Sequence, residues 1–209
     1  MKLVLKTDFV DSYDDYFDVL DEPEPHINFH RFTRTNISRE NSFKKLLSMN
    51  EPVVPHGYLR DLSEQFFSAE KFVVYTDTYS HSGKGKELID RSKIDRYSDL
   101  FSSLYLGEEV SVSYKKIVIG NKVFWSKYKS THSWKSNVGD VETLSKVKET
   151  TPIKNDNFPI YTIDYVSGAG FLWSIDLNLA PELKNLCLPL NPKEIHSEIY
   201  DWYERLYYG

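Results

Sequence analysis

The stretch IYTIDYVSGAGFLWSIDLNLAP, from Ile160 to Pro181, decides how the rest of the chain is interpreted. β-Branched and aromatic residues flank the small residues of Ser167–Gly170, which predicts two short β-strands joined by a tight loop. Glycine suits such a loop because it adopts positive φ angles without steric cost. Successive side chains of a strand lie on opposite faces, so the second strand is predicted to alternate. One face carries Phe171, Trp173, Ile175 and Leu177, and the other carries Leu172, Ser174, Asp176 and Asn178.

Two carboxylates and one carboxamide interrupt these apolar strands. Asp164 lies in the middle of the first strand, and Asp176 and Asn178 share a face of the second. A buried carboxylate without a partner is strongly unfavourable, so two of them in one hairpin favour a bound cation. Oxygen ligands of this kind suit Mg²⁺ better than zinc. The alternative is that both carboxylates lie at strand ends and are simply solvated.

The register of the hairpin decides whether the two carboxylates can share an ion, because a slip of one residue exchanges the faces. We expect a three-residue loop, Gly168–Gly170, which places Asp164 opposite Ser174 and diagonal to Asp176. At that separation both carboxylates can reach one magnesium site.

The spacing of these polar residues resembles a known family. The pattern D-x11-D-x-N-x-x-P, formed by Asp164, Asp176, Asn178 and Pro181, is similar to the metal-binding end of the ATP-grasp superfamily. The resemblance implies that Asp164, Asp176 and Asn178 hold the magnesium ions that clamp the phosphates of ATP. The chain also resembles small ATP-grasp-type proteins of tailed bacteriophages.

A glycine-rich segment follows the apolar strand predicted at Phe72–Thr76. Small residues between a strand and the next element let backbone N–H groups approach a phosphate, and neighbouring lysines add positive charge. The Walker A spacing is absent, and a plain surface turn is the alternative. The residues of this segment that we predict to bind ATP are Ser82, Gly83, Lys84 and Gly85.

Lysines in the middle of the chain extend the resemblance to the glutamate-ligase branch of the superfamily. Lys115 and Lys129 match basic strand residues of that branch, and Trp134–Asn137 matches an aromatic-Arg-Ser-Asn segment. By this match Lys115 binds ATP, while Lys129, Lys135 and Asn137 act in catalysis. Positive groups are needed where an acyl phosphate forms and an oxyanion develops. Lysines that only face solvent are the alternative.

The sequence also departs from the family. The lysine that usually ends the strand before the glycine-rich loop would fall near Tyr75, so that contact is either missing or supplied by Lys84. The residues that usually recognise adenine and ribose would lie near Ser103, Leu104 and Tyr105, where no acid is present. Phosphate and metal binding are therefore better supported than recognition of the nucleobase.

The composition is that of a globular protein with ample material for a core. Of 209 residues, 40% are hydrophobic and 27% charged, and the net charge is −5. No apolar run approaches the roughly 20 residues that a membrane span requires. The single cysteine, Cys187, excludes an internal disulfide and fits a reducing cytoplasm, that of the host if the protein is viral.

The pattern of elements predicts an α+β fold like that of the ATP-grasp proteins, with two lobes of mainly antiparallel sheet and a nucleotide cleft between them. Residues 1–69 are expected to form a reduced N-terminal region that packs on the ATP-grasp-like domain of residues 70–209. The polar segment from Thr131 to Thr150 is predicted to be a loop. Asn191, Pro192 and Glu194 form a well-defined start for the last helix.

Three functions are consistent with these features. The first is an ATP- and Mg²⁺-dependent ligase that joins an unidentified carboxylate to an amine through an acyl phosphate. The second is a module of the same fold that has lost catalysis and binds a nucleotide or a protein. The third is nucleic-acid binding, since aromatic residues among lysines can stack on bases, although the net negative charge argues against it. The residues that would serve this third function are Lys115, Trp125, Lys129, Trp134 and Lys135.

Overall fold

The computed structural model describes residues 2–4, 26–28, 38–79, 84–106, 112–130, 133–135, 141–179, 181 and 187–208. In this part of the chain two larger antiparallel sheets are accompanied by a few helices and a short parallel strand pair. The strands are β1 (Lys2–Val4), β2 (His26–Asn28), β3 (His56–Tyr58), β4 (Lys71–Tyr75), β5 (Lys86–Asp90), β6 (Phe101–Leu104), β7 (Val112–Ile119), β8 (Lys122–Ser130), β9 (Val141–Thr150), β10 (Ile160–Gly168) and β11 (Phe171–Asn178). The helices are α1 (Arg39–Ser48), α2 (Leu59–Gln65), α3 (Ile94–Tyr97) and α4 (Pro192–Tyr208), with a 3₁₀ turn at Arg91–Lys93.

The two larger sheets confirm the predicted α+β class. One sheet has the strand order β11-β10-β7-β8-β9, and the other has the order β3-β6-β4-β5. All pairs within these two sheets are antiparallel. We call them the large sheet and the small sheet.

Helix α1 contributes directly to the core between the sheets. The Ser38 hydroxyl caps the helix by accepting a hydrogen bond from the Asn41 amide. Phe43 and Leu46, on one side of the helix, are fully buried. They belong to the same hydrophobic cluster as Val74 of the small sheet and Ile163 of the large sheet. Helix α1 is therefore part of this common core.

The segment that follows α1 connects the two sheets. Ser174 of β11 donates its amide hydrogen to the Pro52 carbonyl and accepts one from the Val54 amide, with N···O distances of 2.7 and 3.2 Å. The segment then continues into β3 of the small sheet. It thereby covers backbone groups on the outer edge of β11, which would otherwise be open to pairing.

The prediction of a loop from Thr131 to Thr150 is wrong for its second half. Residues 141–150 form β9, the edge strand of the large sheet, paired with β8. The side chains of β9 are mostly exposed. An edge strand with little burial carries polar and charged residues, so polarity alone does not distinguish it from a loop.

Helix α4 begins with the predicted capping box. The Asn191 amide donates to the Glu194 carboxylate at 2.7 Å, and the Glu194 amide donates to the Asn191 side-chain oxygen at 3.0 Å. The Trp202 indole N–H donates to the Asn155 carbonyl at 2.6 Å, which attaches α4 to the large sheet's end. No helix in the described ranges is long and apolar enough to cross a membrane.

Candidate active site

The β10–β11 hairpin has a tighter turn than the predicted one. Gly168 pairs with Phe171, so the loop consists of Ala169 and Gly170. Both residues have positive φ angles, 52° and 81°, as a two-residue type I′ turn requires. The predicted three-residue loop is therefore wrong.

A β-bulge nevertheless brings the two carboxylates together. Regular pairing from the turn would place Asp164 opposite Ile175, on the face opposite to Asp176. The register shifts between Asp164 and Tyr165, so Ile175 is the extra residue and Asp164 pairs directly with Asp176. The predicted common face of the two carboxylates is confirmed. The predicted alternation along β11 fails at the bulge, because Trp173 now shares the face of Asp176.

Asp164 is held by two side chains from the neighbouring strands. Asp164 is 8% exposed. Its Oδ1 atom lies 3.1 Å from Lys115 Nζ and accepts a hydrogen bond of 3.0 Å from the Tyr128 hydroxyl. Burial, reinforced by the charge of Asp164, raises the pKa of Tyr128 well above its ordinary value. Tyr128 therefore remains a neutral hydrogen-bond donor.

Asp176 is held by two cations from outside the large sheet. Arg39, at the start of α1, donates a hydrogen bond to Asp176 Oδ1, and Lys86 of β5 lies 3.6 Å from Oδ2. Burial acts to raise the pKa of Asp176, but the charges of Lys86 and Arg39 outweigh it and hold this pKa below its usual value. Burial lowers the pKa of Lys86, and Asp176 opposes that effect. The site thus forms where the elements of both sheets meet.

Tyr75 lies beneath these two cations. The Arg39 guanidinium is 5.5 Å and the Lys86 ammonium 6.0 Å from the centre of its ring. Its hydroxyl and the Ser103 hydroxyl form a hydrogen bond of 3.1 Å, and burial raises the pKa of Tyr75 to about 12. Lys86 pairs directly opposite Tyr75 in the small sheet. Lys86 therefore places a cation beside Tyr75, where this sequence lacks the usual lysine of the ATP-grasp pattern. Lys84, the residue considered from the sequence for this contact, is exposed.

Arg39 and Lys86 were not identified from the sequence. Arg39 precedes Phe43 and Leu46 by four and seven residues, which places a charged side chain on the buried stripe of a helix. That position was the available signal for a functional arginine. Lys86 is the first residue of β5 and pairs with Tyr75, whereas Lys84 precedes the strand. The sequence does not specify where this strand begins.

The other predicted site residues lie in different places. Asn178 pairs with Thr162 and shares the face of Asp176. Lys129 alternates to the other face of the large sheet and forms an ion pair of 3.1 Å with Glu142. Lys135 lies 5.3 Å from the centre of the Trp134 ring, which packs edge-on against Tyr105. Gly85 precedes β5 with a positive φ of 60°, and Ser82, Gly83 and Asn137 lie outside the described residues.

The residues proposed for nucleic-acid binding do not form one surface. Lys115 lies beside Asp164, whereas Trp125 packs against Tyr165 on the other face with ring centres 5.3 Å apart. The structure therefore separates them across the sheet.

The donor set fits Mg²⁺. In the described part of the chain, no three side chains of His, Cys, Asp or Glu converge on one point, so a complete protein cage is absent there. Mg²⁺ is usually bound by one or two carboxylates together with phosphate oxygens of the substrate and water. Asp164 and Asp176 supply two such carboxylates, with the Asn178 carboxamide on the same face.

Comparison with known proteins places the fold. The chain matches no protein-family model, and no curated protein is similar to it in sequence. Among solved structures it is similar to the ATP-grasp ligase PsnB, solved with a phosphomimetic variant of its minimal precursor, Mg and ADP, with a TM-score of 0.54 and 10% identity over 91% of this chain. It is also similar to the macrocyclase MdnC of Microcystis aeruginosa MRC, solved with the precursor peptide MdnA, with a TM-score of 0.52 and 8% identity over 100% of this chain. The chain covers 64% of PsnB and 79% of MdnC.

These likenesses define the class of the fold. Two antiparallel sheets with few helices, arranged as in these ligases, show that the chain has the ATP-grasp fold. The resemblance noted in the sequence is confirmed at the level of the fold.

Proposed function

We propose that the protein is an ATP- and Mg²⁺-dependent ligase that joins a carboxylate to an amine through an acyl phosphate. The observation that carries this proposal is the direct pairing of Asp164 with Asp176 beneath three cations in an ATP-grasp fold. Oxygen ligands for a divalent ion and positive groups for phosphates are the two requirements of phosphoryl transfer.

The residues divide into two sets by charge. Asp164, Asp176 and Asn178 would hold Mg²⁺, which when bound would neutralise part of the charge of the phosphates. The positive groups that would bind phosphate oxygens are Arg39, Lys86 and Lys115. Ser82, Gly83, Lys84 and Gly85 remain proposed ATP-binding residues on the strength of the sequence. Burial strengthens these contacts because the local dielectric constant is lower than that of water.

The chemistry requires positioning more than a reactive side chain. A substrate carboxylate oxygen attacks the γ-phosphorus while the bond to the β-phosphate oxygen breaks and ADP leaves. The amine then attacks the acyl carbon, and phosphate leaves as the nitrogen loses its proton. Lys135 and Asn137 are proposed to stabilise the oxyanion of this second step. Lys129 is proposed there as well, but it would first have to leave its ion pair with Glu142.

The structural neighbours support a nucleotide and magnesium as ligands. PsnB was solved in complex with a variant of its minimal precursor, Mg and ADP, and MdnC was solved bound with the precursor peptide MdnA. We propose that the carboxylate and the amine of this protein's reaction can likewise belong to a peptide. We also propose that it acts in the cytoplasm, where ATP is available and Cys187 stays reduced.

A second candidate is a nucleotide- or protein-binding module without catalysis. It is favoured by Tyr75, a buried aromatic residue at the position where the family pattern has a lysine. The positions where an acidic residue would bind ribose are likewise occupied by buried Ser103 and Leu104. The Ser103 hydroxyl is hydrogen-bonded to Tyr75. Lys86 weakens this alternative because it restores a cation beside Tyr75.

The decisive experiment combines binding with turnover. Mg²⁺-ATP should raise the melting temperature of the wild-type protein, as any ligand selective for the folded state does. ADP and phosphate release should then be measured with pooled carboxylates, amines and peptides. Asp176→Asn should abolish the metal-dependent stabilisation and turnover. Asp99→Asn, which removes an exposed partner of Arg60, is the matched control and should retain both.

Each result separates the candidates. Mg²⁺-ATP binding without ADP release under any substrate condition would favour the binding module. Unchanged melting in saturating Mg²⁺-ATP would contradict both nucleotide-dependent functions.

A further inference from the structure

The two aspartates of the site differ in how their oxygens are used. Both partners of Asp164 bind the same oxygen, since Lys115 and Tyr128 contact Oδ1. No described residue donates a hydrogen bond to its Oδ2. Asp176, in contrast, uses both oxygens, Oδ1 with Arg39 and Oδ2 with Lys86. Asp164 is therefore ready to bind a metal, and Asp176 is not.

The charges of the site also favour an anion over a cation. Among the described residues, the carboxylates of Asp164 and Asp176 face three cations, Arg39, Lys86 and Lys115, so these five side chains together carry one net positive charge. The side chains of Arg39 and Lys86 are only 5% and 15% exposed. Solvent and salt therefore screen these charges weakly. A divalent cation that approaches this group alone is repelled, while a polyphosphate is attracted.

We propose that Arg39 and Lys86 form a latch on Asp176, which the phosphates of the nucleotide must open before Asp176 can bind Mg²⁺. This inference rests on the proposed nucleotide-binding function. It makes metal binding dependent on the nucleotide and assigns the two aspartates different roles. Asp164 is the standing metal ligand, and Asp176 is released to the metal by exchange of its two cations.

The exchange is chemically balanced. Arg39 can leave the carboxylate for a phosphate because its planar guanidinium pairs with either group through parallel hydrogen bonds. Lys86 can also move from Asp176 to a phosphate, because its ammonium group binds anions without a fixed geometry. Asp176 then has a negative charge without a cation, and Mg²⁺ replaces the two side chains. The buried charges remain paired in both arrangements, which keeps the cost of the exchange low.

The latch also connects the two sheets. Arg39 belongs to α1, whose first amide donates to the Thr78 carbonyl beyond β4, and Lys86 belongs to β5. Asp176 belongs to the large sheet. Opening the latch would therefore break the ion pairs that join α1 and β5 to β11.

The test measures Mn²⁺ binding by electron paramagnetic resonance, with Mn²⁺ as the probe for Mg²⁺ and no nucleotide present. Wild-type protein should bind Mn²⁺ weakly. Arg39→Gln should bind it at least about tenfold more tightly, which corresponds to ~1.4 kcal/mol. Lys86→Gln is a second, independent way to open the latch and should act in the same direction. Arg60→Gln, which removes an exposed arginine from its ion pair with Asp99, should match the wild type.

Two further measurements locate the effect and its order. Adding Asp176→Asn to the Arg39→Gln variant should abolish the gained Mn²⁺ binding, because Asp176 is the ligand that the latch releases. ATP in the presence of EDTA should raise the melting temperature of the wild type, and Arg39→Gln should weaken that stabilisation.

The outcomes distinguish this inference from the proposed ligase activity. Equal Mn²⁺ affinity in the wild type and both latch variants would overturn the latch. Failure of ATP to bind without metal, while Mg²⁺-ATP binds, would overturn the nucleotide-first order. A protein that shows the expected Mn²⁺ and ATP behaviour but joins no substrates would retain the latch and lose the ligase function.

Discussion

Tyr128 shows how one buried side chain can prepare a carboxylate for its role. Its hydroxyl donates to the same oxygen of Asp164 that Lys115 contacts, and the Lys115 ammonium lies 5.5 Å from the centre of its ring. A single tyrosine thus orients both the anion and the cation of this pair. Because burial and Asp164 raise its pKa, Tyr128 stays neutral and keeps donating this hydrogen bond over the whole physiological range.

Tyr128→Phe should destabilise the protein and weaken metal-dependent binding. The substitution removes a hydrogen bond to a buried charge, so we expect a loss of about 1.5–3 kcal/mol in the free energy of unfolding. The Mg²⁺ concentration needed for nucleotide-dependent stabilisation should also rise. Denaturant unfolding and thermal melting measure these two effects.

The control is another tyrosine that donates to a carboxylate. Tyr97→Phe removes an exposed hydrogen bond to Glu87 of 2.8 Å and should change neither quantity appreciably. Equal effects of the two substitutions would show that the Asp164 hydrogen bond has no special role.

His196 on α4 should make stability depend on pH. Burial lowers its pKa below the ordinary 6.5, and no described residue forms a hydrogen bond with its buried Nε2 atom. The unfolded chain therefore binds a proton more readily than the folded one between the two pKa values. Stability should fall as the pH is lowered from about 6.5 through the folded-state pKa.

His196→Phe should reduce this slope because it removes the titrating group. The free energy of unfolding should be measured by chemical denaturation at several pH values from 5 to 8 for both proteins. Parallel pH profiles would show that His196 does not titrate differently in the folded and unfolded states.

At the scale of elements, the β10–β11 hairpin combines a turn with a bulge to place the carboxylates. The two-residue turn alone would put Asp164 and Asp176 on opposite faces, and the extra residue Ile175 corrects this. The bulge is therefore as necessary to the site as the aspartates. The bulge also places the Trp173 side chain on the same face of the sheet as the residues that are proposed to bind metal.

This hairpin shows what the sequence could and could not predict. The apolar residues and the positions of Asp164 and Asp176 predicted both strands and the common face of the two carboxylates. Nothing in the composition marks Ile175 as an inserted residue, because a bulge residue can have any side chain. Arg39 was missed since it reaches Asp176 across 137 positions, and such a contact depends on tertiary packing.

Ala169→Asn should stabilise the hairpin. Ala169 has a φ of 52°, a conformation that is unfavourable for residues with a Cβ atom but better tolerated by Asn. The substitution creates the Asn-Gly pair that type I′ turns prefer. We expect roughly 0.5–1 kcal/mol of added stability, seen as a melting temperature a few degrees higher.

The neighbouring Gly168 provides a contrast of opposite sign. A Cβ atom at Gly168 would lie 2.9 Å from the Leu106 Cβ atom, so Gly168→Ala should destabilise by about 1–3 kcal/mol. If Ala169→Asn also lowered the melting temperature, the turn in solution would differ from the type I′ geometry.

At the scale of the whole molecule, α1 is attached to both faces of the large sheet. Its start carries Arg39, which binds Asp176 on the face of the proposed active site. Just beyond its end, Glu51 binds Lys116 and the Tyr165 hydroxyl on the opposite face, at 2.7 and 2.6 Å. The helix therefore spans the edge of β11, and its Phe43 and Leu46 complete the core between.

This attachment predicts that residues 38–69 and the rest of the core unfold together. Glu51→Gln should lower stability by about 2–3 kcal/mol, because the half-buried Lys116 ammonium loses its counter-charge. Two probes can then follow unfolding in the two parts of the chain. The four tryptophans all lie after residue 120, and three of them, Trp125, Trp173 and Trp202, lie in the large sheet and α4. A fluorophore attached to Glu64→Cys on exposed α2, in a chain with Cys187→Ser, reports on the N-terminal part.

Both probes should give the same urea midpoint, and Glu51→Gln should lower both midpoints equally, since a shared core makes unfolding cooperative. Lys44→Gln, which breaks an exposed ion pair with Glu40 on the same helix, is the matched control and should leave both midpoints in place. A fluorophore transition at lower urea than the tryptophan transition would mean that the N-terminal region is a separate unit. In that case α1 could leave the large sheet without global unfolding, and Asp176 would lose Arg39 through a motion of the whole helix.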